Sequence, residues 1–342
     1  VKRALQISFG GYTQKRGQDR MYREIFNITL LQNTIRTATP LILAALGGLL
    51  TSHTGILNIG MEGMILLGAF FGVAGSYFFE SYLMGILFAV ASGIIIGLIF
   101  ALFVIRLKSD EFIVGIAINM FAGGLTMFLL RSIFGVKGAF SSPRIQPLPD
   151  ISISFLENIP VLNVLLNDHS LFVYVSWILV IAIYIFLYKT PYGLWFRAAG
   201  EFPEALDTVG ISSNRIKFIS SILCGIFCGF AGVHLSLGYL TLFTENMSAN
   251  RGFIALAAII FGAANPLMTY VAALIFGFFD ALGIRLQGVG IPSQFTQMFP
   301  YIVTVLVLIL VVKRERDKKR AHQARQKGLD KSQIKAADNL AK

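Results

Sequence analysis

Nine apolar stretches, at 30–51, 57–78, 82–105, 112–130, 171–188, 217–238, 252–264, 267–284 and 297–312, follow one another along a chain of 342 residues. Crossing the hydrocarbon core of a bilayer takes about 20 apolar residues in a helix. Lipid offers backbone amides no water to bond, so a spanning chain is helical or a closed barrel, and runs this long favour helices. The chain is 55% hydrophobic and only 14% charged, outside the usual range of a soluble domain. The expected fold is therefore an all-α, polytopic membrane protein of about 8–10 transmembrane helices. The 252–264 stretch is short for a span and reads as tilted, re-entrant or partly inserted. No polar segment is long enough to make a separate soluble domain.

The net charge of +11 belongs to the tails. Residues 313–342 carry eleven Lys/Arg against four acids, and residues 1–23 carry six against one. Between them, 24–312 is nearly balanced, with twelve basic and thirteen acidic residues. Excess Lys and Arg mark the cytoplasmic side, so the organisation reads as a basic N-terminal tail at 1–26, a membrane domain at 27–312 and a basic cytoplasmic tail at 313–342. The tails lack the aromatic and motif context of a nucleic-acid binder. Counting back from the C-terminal tail puts the 189–217 segment and the 106–111 loop in the cytoplasm, and the 131–170 loop outside. The same count puts the N-terminus outside despite its basic residues. Either residues 1–20 are an upstream extension, Met21 being the more natural start, or a segment near 50–78 is broken and does not cross. The first reading is preferred.

Polar residues inside apolar spans are costly and therefore informative. Asn58 and Glu62 stand four apart in Ser52-His-Thr-Gly-Ile-Leu-Asn58-Ile-Gly60-Met-Glu62-Gly63. On a helix they share a face, and they serve either a solute pathway or the capping of an interrupted backbone. Asp110 reads as a helix cap with Glu111 at the positive end of the dipole; Asn119 faces a pathway or a neighbouring helix. Asp280 lines the pathway or pairs with Arg285. His234, alone in a span, reads as a hydrogen-bonded core histidine, and Cys224 and Cys228 as small packing residues rather than metal ligands. Three Gly-x-x-x-Gly pairs, Gly68/Gly72, Gly93/Gly97 and Gly225/Gly229, suit close helix packing, with a dimer interface open for one of them.

The polar segment after Tyr188 is patterned as a folded helix-turn-helix facing water. Pro203 fits a first helical turn, Glu204 and Asp207 favour its N-terminal end, and Gly210 supplies a stop. No phosphate-cradling Gly-x-x-x-x-Gly-Lys loop, metalloprotease motif or nucleophile elbow occurs, so the chain has no visible enzyme chemistry of its own. An ion-coupled secondary transporter would call for inverted repeats and a network of membrane acids, and neither is clear. A purely structural membrane subunit sits poorly with four polar residues in the spans.

Four stretches resemble the permease subunits of bacterial ABC importers, in the branch that handles nucleosides and simple sugars and shares its superfamily with branched-chain amino-acid permeases. They are ATPLILAALGGLLTSHTGILNIGMEGMILLGAFFG at 38–72, the acidic-start block at 110–119, FRAAGEFPEALDTVGISSNRIK at 196–217, and the run from RGFIALAAIIFGAANPL to IPSQFTQMFPYIVTVLVL at 251–308. The resemblance covers most of 34–312. It implies a type II importer-like permease bundle in the bacterial plasma membrane. It implies ATPase subunits that bind ATP and Mg, so that no cofactor resides in this chain. It also implies a second homologous permease, a heterodimer being favoured, and an extracellular solute-binding lipoprotein. Within the 189–217 coupling loop, Gly200, Glu201, Glu204, Ala205, Asp207 and Gly210 are the expected contacts with the ATPase. Asn58, Glu62, Asn119 and Asp280 are the expected pathway residues, for a nucleoside or a related simple sugar, with sugars and branched-chain amino acids as alternatives.

Overall fold

A computed structural model of the chain describes residues 28–152 and 167–288, together with Met298 and Ile302. Ten α-helices make up most of it: α1 Ile28–His53, α2 Met61–Phe79, α3 Tyr82–Ala101, α4 Glu111–Phe134, α5 Leu171–Lys189, α6 Pro191–Glu201, α7 Pro203–Thr208, α8 Ser213–Val233, α9 Arg251–Phe261 and α10 Pro266–Gly288. Wider π-type turns extend α3 over Leu102–Arg106 and α8 over His234–Tyr239. Seven of these helical segments are long and apolar enough to cross a membrane: α1 to α5, α8 and α10. Apart from Met298 and Ile302, the expected span at 297–312 lies outside the described residues, as do both tails and Pro160 of the long loop.

The bundle is built around α1. Of its most apolar window 89% is buried, against 33% for α4, α5 and α10. Pro40 sits inside α1 and has no N–H to give, which leaves the carbonyl of Arg36 without its helical partner. His234 Nε2 fills that vacancy from α8 at 3.3 Å, while its Nδ1 meets Ser170 Oγ at 3.1 Å. His234 is thus the hydrogen-bonded core histidine expected from the sequence.

All three Gly-x-x-x-Gly pairs are consumed by packing inside this chain. A Cβ placed on Gly93 or Gly225 would run into the backbone of the other, and one on Gly97 would lie 2.6 Å from the carbonyl of Ser221. Gly68 would meet the Cα of Gly229 at 2.9 Å, and Gly72 faces Val233. α2, α3 and α8 therefore touch backbone to backbone, an arrangement that small residues permit and that recovers dispersion contacts where lipid provides no hydrophobic drive. Cys224 and Cys228 are buried on the same helix as free thiols, and among the described residues no cluster of His, Cys, Asp and Glu could hold a metal ion.

Two short antiparallel pairs tie the loops at the face opposite α6 and α7. Ala139–Phe140 (β1) pairs with Phe243–Thr244 (β4), and Asp150–Ile151 (β2) pairs with His169–Ser170 (β3). An ion pair between Arg144 and Glu80, and another between Arg131 and Glu245, cross the same face. Arg36, near the start of α1, donates to the carbonyl of Asp168 there. α1 consequently runs from this face to the face carrying α6 and α7.

The short 252–264 stretch forms α9, an 11-residue helix. At about 1.5 Å per residue it reaches roughly half the thickness of a bilayer core. The chain reaches the β4 face at the end of α8, leaves it after Glu245, runs without regular helix to Asn250, and only then winds into α9. It reaches the α6 face at Ala264, whose carbonyl accepts from His53 Nε2 at 2.8 Å. The segment is thus a broken crossing, half irregular and half helical.

Candidate functional site

Two places concentrate polar groups. One lies within the bundle, where the α1–α2 elbow at 54–60 and the start of α9 both interrupt helices at depth. Asn119, eight residues or about 12 Å of helix rise beyond Glu111, marks that depth. Its side-chain oxygen accepts from Gly63 N at 2.8 Å, and its amide nitrogen donates to the Ile59 carbonyl at 3.1 Å. Asn58 Oδ1 accepts from Gly60 N at 3.0 Å, and its Nδ2 lies 3.3 Å from Cys224 Sγ. Gly55, at φ +78°, turns the chain out of α1, so Asn58 falls in the non-helical stretch. Asn58 and Glu62 therefore do not share a helix face, contrary to the spacing argument. A glycine in the left-handed region breaks the helical register between α1 and α2.

Glu62 opens α2 and serves a different helix. Its Oε1 accepts from Asn250 N at 2.8 Å and its Oε2 from Gly252 N at 2.6 Å. These are among the amides that the first turn of α9 leaves without helical partners. A carboxylate there meets both the orphan donors and the positive end of the helix dipole. Gly252 is needed for the approach, since a Cβ at that position would lie 2.6 Å from the Cα of Glu62.

Asp280, expected to pair with Arg285 or to line a pathway, pairs with Arg251 at 3.1 Å. The side chains are 14% and 24% exposed, so the pair is shielded without being sealed. Arg251 Nε and the hydroxyl of neighbouring Ser248 are buried without a partner. Sequence reasoning missed Arg251. The signal is present, as a charge at the head of an apolar 11-mer, but its partner stands 29 residues away.

The second place is the polar arm formed by α6 and α7. Thr190 Oγ1 caps α6 by accepting from Gly193 N at 3.2 Å, and Pro191 and Pro203 open the two helices. Gly210 ends α7 at φ +84°, and a Cβ there would have nothing within 4 Å, so backbone conformation alone calls for glycine. Leu206 is buried and anchors the arm. Glu201, Glu204 and Ala205 are exposed, as are Phe202 and Val209. Asp207 is exposed as well, but its carboxylate is engaged within the chain. Its Oδ1 accepts from Ser213 N at 2.8 Å and its Oδ2 from Ser213 Oγ at 3.0 Å, which fastens α7 to the start of α8. Gly200 faces inward, against the backbone of His53, Thr54 and Gly55.

The elbow is the piece whose reach the sequence does not reveal. Besides Gly200 and Ala264 it meets α8, through Thr54 Oγ1 and Ser220 Oγ at 2.9 Å, and α4, through Leu57 N and Glu111 Oε2 at 3.1 Å. The Asp110 cap on α4 is as expected, accepting from Phe112 N at 2.9 Å and Ile113 N at 3.1 Å.

Residues 30–310 match the family described as branched-chain amino acid transport system / permease component. The chain is 37% identical over 294 residues to the guanosine ABC transporter permease protein NupQ of Bacillus subtilis, covering 80% of this chain and 89% of that protein. It is 32% identical to the nucleoside ABC transporter permease protein NupC of Lactococcus lactis, covering 82% of this chain and 91% of that one. A putative glucose ABC transporter permease protein of Haloferax volcanii is 30% identical, with 84% and 93% covered. No solved structure matches the chain.

Proposed function

Because this chain belongs to the branched-chain amino acid transport system permease family, we propose that its solute is a nucleoside and that the α6–α7 arm is where partner ATPases drive it. The chain is the multi-pass permease subunit of an ABC importer and is not itself an enzyme; ATP hydrolysis belongs to separate subunits. The nucleoside reading rests on relatives whose names carry guanosine or nucleoside, NupQ and NupC among them. The glucose relative supports a second reading, a sugar.

The observation that carries the coupling role is the arm's two-sidedness. Glu201, Glu204 and Ala205 are exposed beside the apolar Phe202 and Val209, while Gly200 and Leu206 pack against the bundle and the carboxylate of the exposed Asp207 is held by Ser213. A surface that mixes exposed apolar groups with carboxylates on a firmly seated base suits a protein partner. The ATPase contacts in this proposal are Glu201, Glu204, Ala205 and the turn at Gly210. Gly200 acts from behind, and Asp207, itself exposed, fastens the arm to the start of α8.

The solute pathway is proposed to run beside Glu62, Asn119 and Asp280. Asn58 is buried and contributes through the elbow. The 131–170 loop receives the solute-binding lipoprotein, and a second permease covers part of the exposed apolar faces of α4, α5 and α10. Two measurements test the reading. Uptake of radiolabelled guanosine must stop when the partner ATPase is inactivated, and uptake that persists overturns the ABC mechanism. Calorimetry of the lipoprotein against nucleosides and sugars must show nucleoside binding, and heat with glucose alone moves the substrate to the sugar reading.

A further inference from the structure

The exposed side of the arm is where force would enter; its buried side shows where that force goes. Gly200 rests on the α1–α2 elbow with no side chain between the two backbones. A Cβ there would lie 2.9 Å from Gly55 N and 3.0 Å from the carbonyl carbon of Thr54, and Gly55 in turn would meet the Cα of Gly200 at 3.2 Å. Contact between two glycines leaves no flexible side chain to absorb a displacement.

From the elbow, His53 reaches the turn after α9. Its Nε2 donates to the Ala264 carbonyl at 2.8 Å, and its ring stands edge-on to Tyr188, 6.5 Å between centroids. Arg197 of α6 lies over the same Tyr188 ring at 5.3 Å. Ala263 and Ala264 both have positive φ, +47° and +53°, a conformation costly for residues with a Cβ and held by its surroundings. α9 is short enough to move as one rod, and its far end is the turn held by Glu62. The elbow and its flanks thus grip α9 at both ends, with His53 at the arm end and Glu62 at depth.

We infer that His53 is a positioning residue for transport, carrying displacement of the arm at Gly200 through the elbow to the Ala264 end of the half-helix α9. Movement of α9 then reaches the Arg251–Asp280 pair at its head, beside the proposed pathway. The inference rests on the coupling role proposed for the arm.

The test uses the complete transporter, with both ATPases and both permeases, in nanodiscs. Spin labels on Ile260→Cys of α9 and Leu98→Cys of α3, both exposed, report their separation before and after trapping with ATP and vanadate. This readout is independent of the solute. The unmodified complex is expected to change that separation on trapping. His53→Ala is expected to cut the change severalfold and to lower guanosine uptake about tenfold, the effect of about one hydrogen bond, at an unchanged rate of ATP hydrolysis. His53→Gln, whose amide reaches the same carbonyl, restores both; His53→Asn, one bond shorter, does not. An α9 that stays still in the unmodified complex overturns the inference, as does equal movement in all three variants. Where the Ala variant does not assemble, the Gln and Asn variants decide it, equal values again overturning it. Glu204→Arg separates the two levels: if it leaves the ATP-driven change intact, the arm reading itself fails, and if it abolishes the change while His53→Ala does not, only the role of His53 fails.

Discussion

The carboxylate of Glu62 accepts the backbone N–H of Gly252, 190 residues further along the chain, at 2.6 Å. One residue at the head of α2 thereby finishes the N-terminus of α9. Charge-assisted bonds of this kind contribute about 1.5–3 kcal/mol each. Glu62→Ala should lower the stability of the purified permease by about 3 kcal/mol, and Glu62→Gln, which keeps one acceptor, by about half that. Thermal unfolding in detergent followed by tryptophan fluorescence checks both, and an unchanged midpoint for the Ala variant contradicts the assignment.

Glycine substitutions divide by what a side chain would strike. Gly93→Val and Gly225→Val force α3 and α8 apart and should abolish the monodisperse peak in fluorescence-detected size exclusion. Gly123→Ala and Gly124→Ala on α4 meet nothing within 4 Å. Each should leave that peak in place and stabilise the helix by about 0.5–1 kcal/mol, the usual difference between alanine and glycine in a helix interior.

Asp207 and Glu204 stand three residues apart on one short helix and should respond differently. Asp207→Ala frees Ser213 and the start of α8, so it should cost about 1–2 kcal/mol of stability, the usual range for a lost cap. Glu204→Arg should leave the melting temperature alone and reverse a charge on the exposed side. Its expected effect is uncoupling, with ATP hydrolysis no longer accompanied by uptake while the lipoprotein's affinity for solute is unaffected. Gly210→Ala should uncouple as well, through backbone strain of about 1 kcal/mol rather than a clash, and Gly210→Asn should be milder because asparagine tolerates the left-handed region. Parallel melting curves, uptake assays and ATPase assays separate these outcomes.

The Arg251–Asp280 pair offers a test by compensation. Removing one partner strands the other, so Asp280→Leu or Arg251→Met alone should destabilise by about 3 kcal/mol. The double variant should recover much of that loss, because no charge is left unpaired. Recovery of stability without recovery of uptake would tie the pair to the pathway as well as to the fold.

Much of the architecture is readable from the sequence because lipid imposes strict arithmetic on span length and on backbone hydrogen bonding. α1 to α5, α8 and α10 fall close to the apolar runs, and the arm follows its proline, acid and glycine signals almost residue by residue. What escapes is long-range. Spacing puts Asn58 and Glu62 on one face, but Asn58 lies in the non-helical elbow that a left-handed Gly55 opens and α2 begins only at Met61, so the two serve different backbones. Arg285 looks like the partner of Asp280 by proximity, whereas the pair forms with Arg251 across the broken crossing. His53 looks like the tail of a span, and its contacts with Ala264 and Gly200 exist only once the bundle has closed. The glycine pairs indicate the right kind of contact and no partner, since small-residue spacing says that a helix is approached closely without saying by what.

The grip of Glu62 on α9 also sets an order of events at the ribosome. The carboxylate enters the membrane early, yet the amides it caps are made 188 and 190 residues later. At about 5–20 residues per second, that interval is on the order of 10–40 s. Throughout it α2 carries a carboxylate whose eventual partners do not exist, and the elbow beside it lacks Gly200 and Ala264. The first hairpin must therefore be kept hydrated or sheltered by the insertion machinery until α9 arrives. Assembly of this bundle thus waits for α9 to reach a residue made 190 positions before it.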